Sequence, residues 1–320
     1  VQFQVVAIAG RKFAGKDTAA QALVDEGYVN VKFATPLKLM IRTLLEARGA
    51  TADEAERMTD GDLKEVVTPL LDFSNTGSSE LQVLATAMLR VLLTYQGVSD
   101  YDAGVMLEGN AKDKATKYLQ FRTPAYALET LAGLWLGKIM SAGPATSRYA
   151  MQTLGTEWGR DTMGEGQWVD AAVNCIEEIK KSGGKAVVSD MRFPNEGDAM
   201  DTIGALKLRV RRSGDPQQFN SFSNHPSETA IDDLSVHLDI DNDSTIEMLH
   251  GRVKLAAQNQ KQVRLVETID RSELEAMGGN LVTHPKLAGA YSVLSQYQDD
   301  ATRKLKVEFL ALRPILDLAA

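Results

Sequence analysis

Cysteine is nearly missing from this chain: Cys175 is the single one in 320 residues. No intrachain disulfide can form, and nothing points to a secreted, cross-linked scaffold. Cys175 follows Trp168 and Ala171 and precedes Ile179 at helical spacing, which reads as a small core residue of an amphipathic helix rather than a reactive thiol. An excess of positive charge is missing too. The 35 Lys and Arg stand against 43 Asp and Glu, a formal net charge of −8, so bulk binding to DNA is disfavoured, although a local basic groove is compatible with that balance. No apolar run approaches a bilayer span, and the first residues lack the basic segment and long apolar stretch of a signal peptide. The expectation is a soluble, cytoplasmic protein with no membrane partner. The four histidines are scattered. His225 and Glu228 lie three apart, but no second ligand pair has a recognised spacing, which argues against zinc; Glu228 reads as a turn-and-cap residue or a lid contact. Internal repeats and low-complexity linkers are absent. With 44% hydrophobic and 24% charged residues, the chain has an ordinary globular composition.

What is present is an alternation of short buried strands and helical patterns. Segments 3–9, 28–33, 185–190, 205–210 and 236–241 are apolar or β-branched and bounded by turn or polar residues, as buried strands are. Strands alternating with helices indicate an α/β fold with a parallel sheet covered on both faces. Helices are expected from Gly15 to about Asp25, over 37–48, over 168–181 closed by Gly183 and Gly184, and over 244–257. The last opens on a capping box, Ser244 with Glu247 three residues on. Residues 49–147 read as a helical insertion holding helices over 79–95 and 125–140, separated by a polar loop over 99–117. Met88, Leu92, Trp135 and Leu136 read as its core. These segments divide the chain into a core, 1–257, with a lid at about 211–233, and a helical C-terminal extension, 258–320, which includes a helical piece over 303–316. The extension reads as a cover on the core or a homodimer contact.

Gly10-Arg11-Lys12-Phe13-Ala14-Gly15-Lys16-Asp17-Thr18 carries the strongest chemical signal. It matches the G-x-x-x-x-G-K core of a phosphate-binding loop, between a strand and a helix as that loop requires. Glycines allow backbone angles and close approaches that a side chain forbids. Successive N–H groups then form a nest for phosphate oxygens, and the helix N-terminus adds unpaired amides and a positive dipole end. Lys16 supplies a cation for the outer phosphates. The residue after the lysine is ordinarily a Mg²⁺-binding hydroxyl; here it is Asp17, followed by Thr18. Asp17 has three readings: binding Mg²⁺ directly, holding it through water, or favouring the helix dipole.

Ala186-Val187-Val188-Ser189-Asp190 is an apolar strand ending in a carboxylate, and ligands of open parallel sheets bind at such strand ends. Asp190 is a candidate to hold Mg²⁺ through water, to accept a proton, or to cap the helix after Pro194. Arg192 is placed to neutralise a transferring phosphoryl group. Arg211 and Arg212 end the next strand and are candidates to close over a triphosphate, or to be a solvated basic strand end.

With those pieces placed, the chain resembles the phage deoxynucleoside monophosphate kinase family, of the T4-type P-loop kinases. Five stretches carry the resemblance: residues 10–18, 31–38 (Val-Lys-Phe-Ala-Thr-Pro-Leu-Lys), 151–157 (Met-Gln-Thr-Leu-Gly-Thr-Glu), 188–192 with Asn195 and Glu196, and 239–244 (Asp-Ile-Asp-Asn-Asp-Ser). The resemblance implies a P-loop NTPase fold with a five-stranded parallel sheet, ATP with Mg²⁺, and a deoxynucleotide acceptor such as dGMP, dTMP or a modified pyrimidine nucleotide. It implies that Lys16 and Thr18, with Gly10, Ala14 and Gly15 around them, hold the donor phosphates, and that Asn242 and Asp243 lie beside the donor adenine. Lys38 would face the acceptor, Arg148 and Gln152, one helical turn apart, would contact its phosphate or base, and Glu228 is a fourth acceptor-side candidate.

The expected chemistry is in-line phosphoryl transfer, with positioning and charge neutralisation supplying the acceleration. Three other readings share the scaffold: a phage kinase acting on hydroxymethyl bases within DNA, with Asp190 as base; a non-catalytic nucleotide-binding regulator; and a dephospho-coenzyme A kinase.

Overall fold

The structure, a computed structural model, describes residues 2–11, 13–107, 119, 123–212, 231, 233–279, 281, 284–287, 290–299 and 304–316. The five expected strands are β1 (Val5–Ala9), β2 (Tyr28–Val31), β3 (Lys185–Met191), β4 (Leu206–Arg211) and β5 (Leu238–Asp241). They form one parallel sheet in the order β2-β3-β1-β4-β5. Every residue of β1 is buried, as a central strand covered on both faces must be. Val6 and Ile8 face helices α1 (Lys16–Val24) and α10 (Ile246–Ala257) through Ala19, Leu23, Leu249 and Val253. Val5, Ala7 and Ala9 face the other layer, α8 (Gln167–Lys181) and α9 (Pro194–Thr202), through Val169, Ala172, Ile176 and Met200. The chain leaves β1 toward β2 on one side, and crosses from β3 to β4 on the other. Its order therefore reverses beside β1, and the crevice opens at the loop after that strand.

The described residues of the insertion are mainly helical. Between β2 and β3 run α2 (Thr35–Ala47), α3 (Ala52–Thr59), α4 (Ser78–Tyr95), α5 (Asp100–Leu107), α6 (Pro124–Glu129) and α7 (Ser147–Thr153). Both α6 and α7 continue with wider i→i+5 winding, over Thr130–Met140 and Leu154–Met163. Met88, Leu92, Trp135 and Leu136 are fully buried in its core together with Trp158, as expected. The polar loop expected over 99–117 is corrected in part. Ser99 accepts the amide of Asp102 at 3.1 Å and starts α5, because a Ser three residues before an Asp satisfies an otherwise orphaned helix amide.

Two further corrections concern the C-terminal third. The cap of α10 is Thr245, whose hydroxyl accepts Met248 N–H at 3.3 Å; both Ser244 and Thr245 can cap, and the helix begins one residue later than expected. The extension after 258 is not mainly helical. It holds β6 (Gln260–Asp270), the short helix α11 (Arg271–Ala276), β7 (Ala290–Asp299) and β8 (Lys304–Pro314), an antiparallel sheet in the order β6-β8-β7. Leu305, Val307 and Phe309 alternate with Lys304, Lys306 and Glu308, and Val307, Phe309 and Ala311 form its small core with Ile269, Leu274 and Leu287. That period of two belongs to a half-buried strand. Among the described residues no helix is long and apolar enough to cross a membrane.

Candidate active site

The loop after β1 turns back on itself as the phosphate-binding motif requires. Gly10 has φ 153° and Gly15 φ 100°. A β-carbon at Gly10 would lie 2.7 Å from the carbonyl oxygen of Val210, and one at Gly15 would lie 2.4 Å from Nδ2 of Asn242. Gly10 is therefore fixed by a close backbone approach, and Gly15 by its positive φ and the Asn242 side chain packed against it. Phe13 holds φ 66° at the tip of the loop and is 73% exposed, a conformation that bulky residues rarely adopt. Lys16, the first residue of α1, folds over the mouth and donates from Nζ to the carbonyls of Gly10 (2.6 Å) and Arg11 (2.8 Å). The cation sits where the oxygens of an outer phosphate would compete with those carbonyls for it.

Parallel pairing brings β3 alongside, with Ala9 opposite Met191. Asp190 accepts the backbone N–H groups of Phe33 (3.0 Å) and Ala34 (3.3 Å), the two residues before α2. It thus ties β3 to the entry of α2 rather than capping the helix after Pro194. Burial pushes the Asp190 carboxyl up, against the pull of those amides and of Lys32 and Arg192. The cap of α9 is completed by Glu196, which accepts the N–H groups of Arg192 (2.7 Å) and Phe193 (3.1 Å). Glu196 is 5% exposed, and burial, with Asp190 nearby adding to it, raises its carboxyl to about 7. Arg160 lies 5.0 Å from the centre of the Phe193 ring and is one of the charges acting on Glu196. Asp17 meets Lys32 Nζ at 2.7 Å. Lys32, Arg160 and the buried Glu196 carry no sequence motif that assigns them a role; Lys32 and Glu196 lie inside the stretches that carried the resemblance, which was the available signal.

On the β4 side, Gly10, Arg11, Arg209, Arg211 and Arg212 help line a cavity of about 200 Å³. Arg209 and Arg211 both reach Oδ1 of Asp239, at 2.6 and 2.8 Å. The Arg209 contact foremost, against a burial effect and with Arg211 adding to it, holds the Asp239 carboxyl below its usual range. Asn242 donates from Nδ2 to the carbonyl of Ala14 at 2.8 Å, and its own N–H donates to the Arg211 carbonyl at 2.6 Å. It pins the glycine loop from the side of β5. Asp243 follows it at the surface. Thr18 lies in the first turn of α1, half-buried.

The three candidates for the acceptor side within the described residues lie on neighbouring helices, Lys38 on α2 and Arg148 and Gln152 on α7. Lys38 pairs with Asp60 and Arg148 with Glu65, while Gln152 is exposed. The fourth, Glu228, lies outside the described residues, as do His225 and most of the expected lid. Among the described residues no three His, Cys, Asp or Glu side chains gather as a ready-made metal cage.

A glycine loop between the central strand of a parallel β2-β3-β1-β4-β5 sheet and a helix led by lysine defines the P-loop kinase fold. The deoxynucleotide monophosphate kinase family matches residues 4–253, and the chain belongs to that family. It is also similar to the deoxynucleoside-5'-monophosphate kinase of Escherichia phage T5, 36% identical over 87 residues. That match covers 26% of this chain and 34% of the phage protein, about a third of the relative's length.

Proposed function

We propose that this protein transfers the γ-phosphoryl group of ATP to a deoxynucleoside monophosphate by in-line displacement, giving the diphosphate. The carrying observation is the curled loop at 10–18, with Lys16 bonded across its mouth and β3 delivering Asp190 and Arg192 beside it. Such a site needs little covalent chemistry, because an acceptor phosphate oxygen is already nucleophilic and catalysis is positioning plus charge neutralisation. Lys16 would leave the carbonyls for the donor phosphates, and Arg192 and Arg211 would neutralise charge on the moving group. Arg212 would add to that on the donor side, and Asn242 and Asp243 would flank the adenine. Lys38, Arg148 and Gln152 would hold the acceptor.

The donor set suits Mg²⁺, which keeps several waters and takes phosphate oxygens with one or two carboxylates. Asp17 is exposed in the first turn of α1 and would hold the ion directly or through water. Asp190 would do so through water, since its two oxygens already accept amides. When bound, the ion would supply charge neutralisation for the transferring phosphoryl group.

The test is ADP formation against a panel of deoxynucleoside monophosphates, with dephospho-coenzyme A included. Lys16→Ala should lower turnover on the order of a thousandfold while leaving the far-ultraviolet circular dichroism and melting temperature near those of the parent. Retained turnover in that variant would overturn the assignment.

A further inference from the structure

One short segment joins the two helices of the acceptor side. Asp60 follows α3 and bonds Lys38 and Arg42, which are one turn apart on α2; Arg42 Nη2 reaches Oδ2 of Asp60 at 2.5 Å and Arg42 Nε reaches the Thr59 hydroxyl at 2.8 Å. Five residues on, Glu65 bonds Arg148 on α7, and Arg148 N–H donates to the Lys64 carbonyl at 3.0 Å. Thr68 N–H then donates to the Ala145 carbonyl at 2.9 Å, and Val67 bridges Thr146. Between these ties Val66 and Val67 are 49% and 69% exposed, so little apolar burial anchors the segment. Lys38 stands in the first turn of α2, whose entry Asp190 holds. Lys38 is thus within one helical turn of the α2 entry, with Arg42 one turn further along the same helix. Burial alone would raise the Asp60 carboxyl, but Lys38 and Arg42 outweigh it and hold it below its usual range.

We propose that the segment 60–68 is an internal clasp whose carboxylates, Asp60 and Glu65, occupy the cations that take the acceptor's phosphate monoester, and that acceptor binding displaces it. This inference rests on the reading of Lys38 and Arg148 as acceptor residues. The competition is one of like chemistry. A carboxylate and a phosphate offer the same cations charged oxygens, and the phosphate brings a second charge and a third oxygen. The clasp keeps the cations neutralised and placed before the acceptor arrives, and it lowers apparent acceptor affinity by the free energy of its own contacts.

The experiment measures binding of dTMP, dGMP and inorganic phosphate to the full chain without ATP, by calorimetry, alongside hydrogen exchange of residues 60–68. Asp60→Asn and Glu65→Gln should each tighten nucleotide binding about fivefold, the scale of one partly exposed ion pair. Saturating nucleotide should speed exchange over 60–68 in the parent. Asp62→Asn is the control, because Asp62 pairs with Arg57 at 2.9 Å, outside the acceptor cations. It removes the same charge without opening the clasp and should leave affinity within about twofold. Unchanged or weaker binding in the Asp60 and Glu65 variants, equal tightening in Asp62→Asn, slower exchange on binding, or no binding in parent and variants alike would overturn the clasp. Failure of the kinase reading has a separate sign, the absence of ADP formation across the acceptor panel.

Discussion

At the scale of single residues, the site concentrates groups that are costly to hold. Gly15 combines a left-handed backbone with contact against Asn242, so Gly15→Ala should destabilise the chain by about 1–3 kcal/mol, measured by urea unfolding. Glu196 is a buried carboxyl whose folded value, about 7, lies above its ordinary 4.5. The folded state therefore holds this proton when the unfolded state has released it. The associated stability is complete below about pH 4.5 and is lost as pH rises through about 7. Glu196→Gln should flatten stability across that window and gain on the order of 2–3 kcal/mol at pH 8, seen in denaturation curves collected from pH 4 to 8. Lys16 and the two glycines were legible in the sequence because a phosphate nest has few chemical solutions. Lys32 and Arg160 were not, because a lone cation in a helix or loop looks the same whether it faces solvent or a carboxylate.

At the scale of elements, the central strands β1 and β3 announced themselves by apolar runs buried on both faces, while β2, β4 and β5 mix polar and apolar residues; all five were legible to within three residues. The C-terminal strands were harder. Lys304 to Phe309 alternate polar and apolar strictly, a strand signal, yet residues 303–316 read as a helical piece interrupted by Pro314. Their anchor is also local. Asn259 takes φ 59°, its Nδ2 donates to the Leu316 carbonyl at 2.9 Å and its Oδ1 accepts Leu316 N–H at 2.9 Å, while Ile315 and Leu316 pack on the core under α1 and α10. Asn259→Ala loses both side-chain bonds and strains the backbone, and should cost about 1–3 kcal/mol. Asn259→Gly keeps the backbone angle and should cost less. The order of the two midpoints in urea unfolding checks the argument.

At the scale of the whole molecule, charge decides what the protein meets. A net charge of −8 gives no counterion-release drive toward DNA, and the arginines ending β4 are partly spent on Asp239. Gel shifts with single- and double-stranded DNA at about 0.15 M salt should show no salt-sensitive complex. A complex that weakens steeply with salt would favour a kinase acting on bases within DNA.

The sequence alone determined the strand-loop-helix unit, the parallel sheet and the helical nature of the insertion, because backbone angles, periodicity and burial are local consequences of residue type. Only the tertiary structure decided that Asp190 holds the entry of α2, that Asn242 presses on Gly15, and that Asp60 and Glu65 sit on the basic residues of α2 and α7. Each of those contacts joins residues from separate elements, and a side chain's partner across that distance depends on how the layers pack.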